Sequence, residues 1–165
     1  MFLTLNVNFF AELSVSRLYE ILKLRQDVFL LEQSCLYADL DDLDQKALHI
    51  LLISEEDDNL LAYCRILPAG TKFSDVSIGR LAVSDNERKK GYAKQVMQKA
   101  IDFIAEEMQA SKVKISAQYY LYSFYESFGF KAVSEPFDED GIKHIEMELT
   151  NMDAISYNSH HESGL

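Results

Sequence analysis

Tryptophan is absent from this chain, and cysteine, proline and glycine are scarce: two, two and six among 165 residues. Two cysteines, Cys35 and Cys64, are too few for a disulfide scaffold and lack metal-ligand spacing, so a reducing, cytoplasmic setting is expected. The low proline and glycine content excludes a collagen-like or low-complexity chain. No apolar run exceeds a few residues, far short of the ~20 that a membrane-spanning helix needs. The opening segment MFLTLNVNFF lacks the basic region of a signal peptide. Basic charge is also short. Sixteen Lys and Arg against 27 Asp and Glu give a net charge of −11, which argues against nucleic acid or a membrane surface as partner. What is present, 48% hydrophobic and 26% charged residues, is the composition of a folded domain. One domain is expected over residues 1–150, with a polar tail over 151–165.

The acidity is uneven. Between Asp85 and Lys99 the basic residues Arg88, Lys89, Lys90, Lys94 and Lys99 outnumber Asp85 and Glu87, a local net of +3 that leaves −14 elsewhere. A basic island in an acidic chain calls for a reason.

Periodicity places the elements around it. Leu3, Leu5, Val7 and Phe9 alternate as a half-buried strand. Ser14 or Ser16 can cap a helix running to about Leu31, with Val15, Leu18, Leu22 and Phe29 along one side. Residues 34–44, with aspartates at 39, 41, 42 and 44, read as a loop. Residues 48–53 and 60–67 form a hairpin, and 76–83 a further strand. Ala93, Val96, Met97, Ala100, Ile101, Ile104 and Met108 mark an amphipathic helix from Gly91. A strand at 113–117 and a short helix at 119–128 follow. Antiparallel strands at about 131–135 and 143–149 then bracket the turn Asp138–Gly141. Strand 76–83, the long helix and strand 113–117 demand a parallel pair with a right-handed crossover. The expected fold is α+β: a single mixed, mostly antiparallel sheet with a central parallel pair and flanking helices.

The loop entering the long helix carries Arg88-Lys89-Lys90-Gly91-Tyr92-Ala93. Helix starts favour acids, because the macrodipole puts partial positive charge there. Basic residues at this place destabilise the helix unless an anion binds, and free amides with a glycine describe a phosphate cradle. A solvated basic turn is the competing account. Neither G-x-x-x-x-G-K-[ST] nor G-x-G-x-x-G is present.

Arg88-x-x-Gly91-x-Ala93 resembles the [QR]-x-x-G-x-[GA] pyrophosphate loop of the GNAT superfamily of acyl-CoA-dependent N-acetyltransferases. Phe124-Tyr125-Glu126-Ser127-Phe128-Gly129-Phe130 is similar to the family's FYxxxGF stretch. Leu24-Arg25, Val28-Phe29, Glu32-Gln33, His49-Ile50, Ile78-Gly79-Arg80 and Ala117-Gln118 resemble the ElaA-like branch. The likeness runs from about Leu13 to Leu149. It implies a GNAT-like fold and an enzyme that moves the acetyl group of acetyl-CoA to a primary amine, small molecule or peptide, in a ternary complex. It also implies that coenzyme pyrophosphate lies on Arg88, Lys89, Lys90, Gly91, Tyr92, Ala93 and Lys94, and that pantetheine pairs with the backbone of Leu81, Ala82 and Val83. Tyr125 stands where the family presents a proton donor to the departing thiolate; on composition alone it reads as a core aromatic. The base is left open among Glu32, His49 and a water chain. Arg80, Gln118 and His49 are candidate acceptor contacts, each with a structural alternative.

The aspartates at 39–44 fail the EF-hand pattern, His160 and His161 fit no ligand set, and no metal is assigned. Together with Glu32 those aspartates suggest acidic walls that would attract a cationic acceptor. A sensor or scaffold that binds acyl-CoA without turnover is the alternative function, and an interaction domain with a basic turn is a third. The strand-rich end and the tail are candidate homodimer surfaces.

Overall fold

A computed structural model describes residues 2–150 and Met152; the tail, with His160 and His161, lies outside the described residues. The strands are β1 (Leu3–Phe9), β2 (Leu48–Ser54), β3 (Leu60–Leu67), β4 (Val76–Val83), β5 (Lys112–Gln118), β6 (Lys131–Ala132), β7 (Phe137–Glu139) and β8 (Ile142–Thr150). They make one sheet in the order β1-β2-β3-β4-β5-β8-β6, with β7 also paired to β8. The only parallel neighbours among the described strands are β4 and β5. The α+β class and the central parallel pair are therefore as expected. The pair expected at 131–135 and 143–149 is instead divided, because Pro136 follows the short β6 and the chain re-enters the sheet as β7.

Helices α1 (Val15–Arg25), α2 (Tyr92–Phe103) and α3 (Tyr122–Glu126) flank this sheet. Ser14 caps α1 by accepting the Arg17 amide at 3.0 Å. The helix widens into π-type turns over Gln26–Glu32. Its buried side is Ile21, Leu24 and Val28 with Phe29, whereas Val15 is 87% exposed, so the apolar side is rotated from the expected one. Phe9, expected on the inner face of β1, is also exposed. α2 buries Val96, Met97, Ala100 and Ile101, and the turn after it Ile104, against the opposite sheet face. Each of its larger side chains contributes about 1.5–3 kcal/mol by leaving water. With helices on both faces, every residue of β2 and β3 is buried.

Two irregularities shape the centre of the sheet. β4 and β5 pair only at Val76–Val113 and Ser77–Lys114, and beyond Ser77 the edge of β4 toward β5 has no strand partner. In β4 an extra residue is inserted opposite β3: Tyr63 pairs with Ala82, but Arg65 pairs with Gly79. Arg80 sits in this bulge at φ 54°. The insertion reverses the faces of the strand. Val76 and Ile78 point to the α2 side, yet Ala82 belongs to the α1-side core while Leu81 and Val83 pack on the α2 side.

The 34–47 loop packs beneath this bulge through buried charges. Arg25 and Arg65, both essentially inaccessible, donate to Asp44 Oδ1 at 2.7 and 2.9 Å. Arg25 and Arg80 both bond Asp39, at 3.0 and 2.7 Å, and Arg65 chelates Asp41. Burial raises the Asp41 carboxyl, but the Arg65 hydrogen bond and charge outweigh it and bring the group down to about 2. Asp44 is lowered in the same way by Arg25 and Arg65.

Removing one partner of such a network leaves another charge buried. Asp44→Ala should lose about 3–5 kcal/mol of unfolding free energy in urea, since two arginines would remain in the core. Acid should weaken the wild type as well. Depressed carboxyls stabilise the fold above their unfolded value of 3.8, and for Asp41 that contribution disappears as pH falls through about 2. Chemical denaturation from neutral pH down to pH 2 checks both. Equal stability of variant and wild type would contradict the role given to Asp44.

Candidate active site

The parted strands open a cleft of about 800 Å³ that runs from the start of α2 to the space between α1, β5 and β8. At the α2 end, Lys89 and Gly91 adopt left-handed backbone conformations, φ 63° and 79°. The conformation suits glycine at the helix N-cap, and Gly91 offers no side chain to cap the helix. The amides of the first turn lack intrahelical acceptors, and that turn contains no acid. A Cβ placed on Gly91 would meet nothing within 4 Å, so the space before these amides is open. Amides, dipole and the cleft-lining Lys89 and Lys94 together can hold an anion.

The other members of the basic island are placed differently. Lys90 does not line the cleft; its Nζ lies 2.8 Å from Glu87. Lys99 borders a separate groove against β1. Arg88 reaches across the cleft mouth to chelate Glu32 at the end of the π-type turns. An exposed pair of this kind is worth at most about 1 kcal/mol, so a phosphate can replace Glu32 at Arg88. Tyr92 is buried in the α2-side core while also lining the cleft.

Along the middle, Leu81, Ala82 and Val83 line the cleft on the unpaired edge of β4. That edge can take an extended amide-bearing chain as a strand would be taken. Tyr125 of α3 faces the same cleft, 9% exposed and packed edge-on against Phe124 and Phe130. Burial pushes its phenol up, so it stays protonated across physiological pH. Its hydroxyl has no hydrogen-bond partner among the described residues. The tyrosine is at once a core aromatic and a neutral phenol bordering the cleft.

Several expectations at the acceptor end are corrected by the geometry. His49 is fully buried and does not line the cleft. The Asp44 carbonyl can only accept, so His49 Nε2 donates to it at 2.9 Å and Nδ1 accepts from the Tyr63 hydroxyl at 2.7 Å. Burial lowers its pKa and keeps it neutral, and both nitrogens are occupied, so it is neither base nor acceptor contact. Glu32 does line the cleft, but the hydrogen bonds from Arg88 lower its pKa, and a carboxylate so stabilised is a weak base. The expected acidic walls are not there either: Asp39, Asp41 and Asp44 are neutralised by Arg25, Arg65 and Arg80, and Asp42 does not line the cleft. Arg80 lines the cleft with its Nε and Nη2 already committed to Asp39. Gln118 lines it too, donating to Gln33 at 3.0 Å.

Residues that the sequence did not single out complete this end. On β5 and β8 the side chains of Ser116, Gln118, His144 and Glu146 lie on the face opposite the core residues Ile115, Ala117, Ile145 and Met147. Ser116 and His144 open into the cleft together with Glu139 of β7. The alternation along His144–Leu149 was the available signal, because it sets His144 on the polar face. Among the described residues, no group of three His, Cys, Asp or Glu could hold a metal ion, and no helix is long and apolar enough to cross a membrane.

Comparison with known proteins converges on one family. Residues 27–151 match the acetyltransferase (GNAT) domain. The chain is 40% identical to the protein ElaA of Escherichia coli over 137 residues, 83% of this chain and 90% of that protein. It is 39% identical over 142 residues to a UPF0039 protein of Schizosaccharomyces pombe, covering 86% of this chain and 93% of the other. Among solved structures, E. coli ElaA superposes with a TM-score of 0.80 at 38% identity, over 89% of this chain and 99% of that one. An acyl-CoA N-acyltransferase from Pseudomonas aeruginosa gives 0.81 at 35% identity, over 88% and 98%. These matches support acyl transfer from a coenzyme A donor. The chain belongs to the GNAT acetyltransferase family, in its ElaA-like branch.

Proposed function

We propose that this protein transfers the acetyl group of acetyl-CoA to a primary amine by direct attack in a ternary complex. The observation that carries the reading is the continuity of the cleft, from an uncapped helix start, along an unpaired strand edge, to the buried phenol of Tyr125. The pyrophosphate sits on the amides of Gly91, Tyr92, Ala93 and Lys94, with Lys89 and Arg88 supplying positive charge and Lys90 acting at longer range. The pantetheine amides pair with β4 at Leu81–Val83, which directs the thioester toward Tyr125. The acceptor enters from the α1 face, past Gln118 and Arg80.

The chemistry then follows from the groups present. The amine nitrogen bonds to the thioester carbonyl carbon, and the carbon–sulfur bond breaks as the tetrahedral intermediate collapses. The departing thiolate takes the Tyr125 proton, and the tyrosine regains one from the positively charged nitrogen. Acetyl-CoA binding and coenzyme A release together separate this enzyme from a sensor that only binds.

Gly91→Glu puts a carboxylate in front of the α2 amides and should abolish acetyl-CoA binding in calorimetry while far-UV circular dichroism is retained. Unchanged affinity would remove the coenzyme site from this loop. Tyr125→Phe keeps the ring and loses the proton, so kcat for the best amine of a panel should fall roughly 10²-fold with acetyl-CoA affinity preserved. A change below about threefold would return Tyr125 to a packing role.

A further inference from the structure

An alkylamine acceptor arrives as an ammonium ion and must lose a proton before it attacks. The structure leaves that task unfilled by the two residues the sequence offered, Glu32 and His49. We infer that His144 is the base, with Glu139 and Ser116 receiving the ammonium beside it; this rests on the amine-acetyltransferase reading above.

His144 Nδ1 lies 2.7 Å from the carbonyl oxygen of its neighbour Ile142. A carbonyl only accepts, so Nδ1 carries the hydrogen and the neutral ring presents a bare Nε2. That nitrogen is 3.2 Å from Glu139 Oε2, which also accepts the Ser116 hydroxyl at 3.2 Å. In that neutral ring Nε2 and the Glu139 carboxylate form a pair of acceptors into which an incoming ammonium can donate. The ring is held for the purpose: His144 is 8% exposed, stacked on Phe137 and paired across the sheet with Gln118.

The surrounding charges leave this pair as the proton acceptor of the acceptor end. Farther along the same face, Lys114 is paired to Glu146 and Lys112 to Glu148. Arg65 and Arg80 are tied to aspartates. Lys72, from the β3–β4 loop, interacts electrostatically with Glu139, and Asp140 borders the cleft beyond it. In the step itself an N–H bond of the ammonium breaks and its proton moves to Nε2. The resulting imidazolium, hydrogen-bonded to Ile142 O and Glu139, releases that proton to solvent once the product leaves. The neutral amine keeps its electron pair for the thioester carbon.

The test compares wild type, His144→Gln and Glu139→Gln with two probes, the best primary alkylamine of the panel and hydroxylamine, which at pH 7.5 is already a free base and needs no deprotonation before attack. Loss of the base should cost roughly 10²-fold in kcat/KM for the alkylamine and leave hydroxylamine transfer and acetyl-CoA affinity near wild type. Glu139→Gln should lower alkylamine turnover in the same direction. An equal loss for both probes would mark His144 as structural, and an unchanged alkylamine rate would overturn the assignment while leaving the acetyltransferase reading intact. Acetyl-CoA binding without transfer to any amine would remove both. Long-range proton–nitrogen spectra on histidine-labelled protein read the tautomer independently: a hydrogen on Nε2 with a bare Nδ1 would also overturn it.

Discussion

The bulge at Arg80 is the constraint on which the site depends. One extra residue in β4 reverses the faces of the strand, sends Leu81 and Val83 to the α2 side and lies within the edge left unpaired toward β5. A non-glycine residue with a left-handed backbone is strained by roughly 1–3 kcal/mol, so something must hold it. Here the Arg80 guanidinium is fastened to the side chain and carbonyl of Asp39, and Asp39 is fastened in turn to buried Arg25 of α1. The position of the strand edge thus rests on ions some distance from the chemistry. Apolar side chains of similar volume could be as stabilising as such a network, but they would not fix the bulge and the loop in one register.

The cleft divides its labour by electrostatics. At the α2 end the fields are unbalanced, with amides, helix dipole and lysines facing open space. At the other end the charges close on one another, aspartate against arginine, and leave the Glu139–His144 pair turned into the cleft. An anion is therefore attracted at one end, while the other offers a proton acceptor with little net field. Between them Tyr125 is kept neutral by burial, which suits a donor and disqualifies it as the first base. The protein's overall acidity consequently says little about the acceptor.

What the sequence made legible was whatever repeats locally. Period-two alternation located β1, apolar runs split by a polar turn located β2 and β3, and the 3.6-residue stripe located α2, because each signal is carried by neighbours along the chain. The uncapped Gly91 and its basic surroundings were also local, and so was the β8 alternation that sets His144 opposite the core. What was hidden is pairing across sequence distance. Asp39, Asp41 and Asp44 read as a solvated acidic loop because their partners Arg25, Arg65 and Arg80 stand 14 to 41 residues away. Glu32 looked available as a base because Arg88 is 56 residues distant. His49 looked like a site residue through family likeness alone, and only burial shows that it is a strut between Tyr63 and the Asp44 carbonyl. For α1, the exposed Val15 carried the same hydrophobic label as the buried Ile21, and the label does not report which side faces the sheet.

Amide hydrogen exchange with and without acetyl-CoA tests the central claim most directly, namely that the donor lies in the parting of β4 and β5. Exchange should slow at Leu81–Val83 and at residues 88–94, where amides of the β4 edge turned toward β5 and of the α2 start would gain coenzyme partners. Elsewhere in β1, β2 and β3 it should not change. Protection absent from β4 and the start of α2, or centred on another surface, would contradict the account.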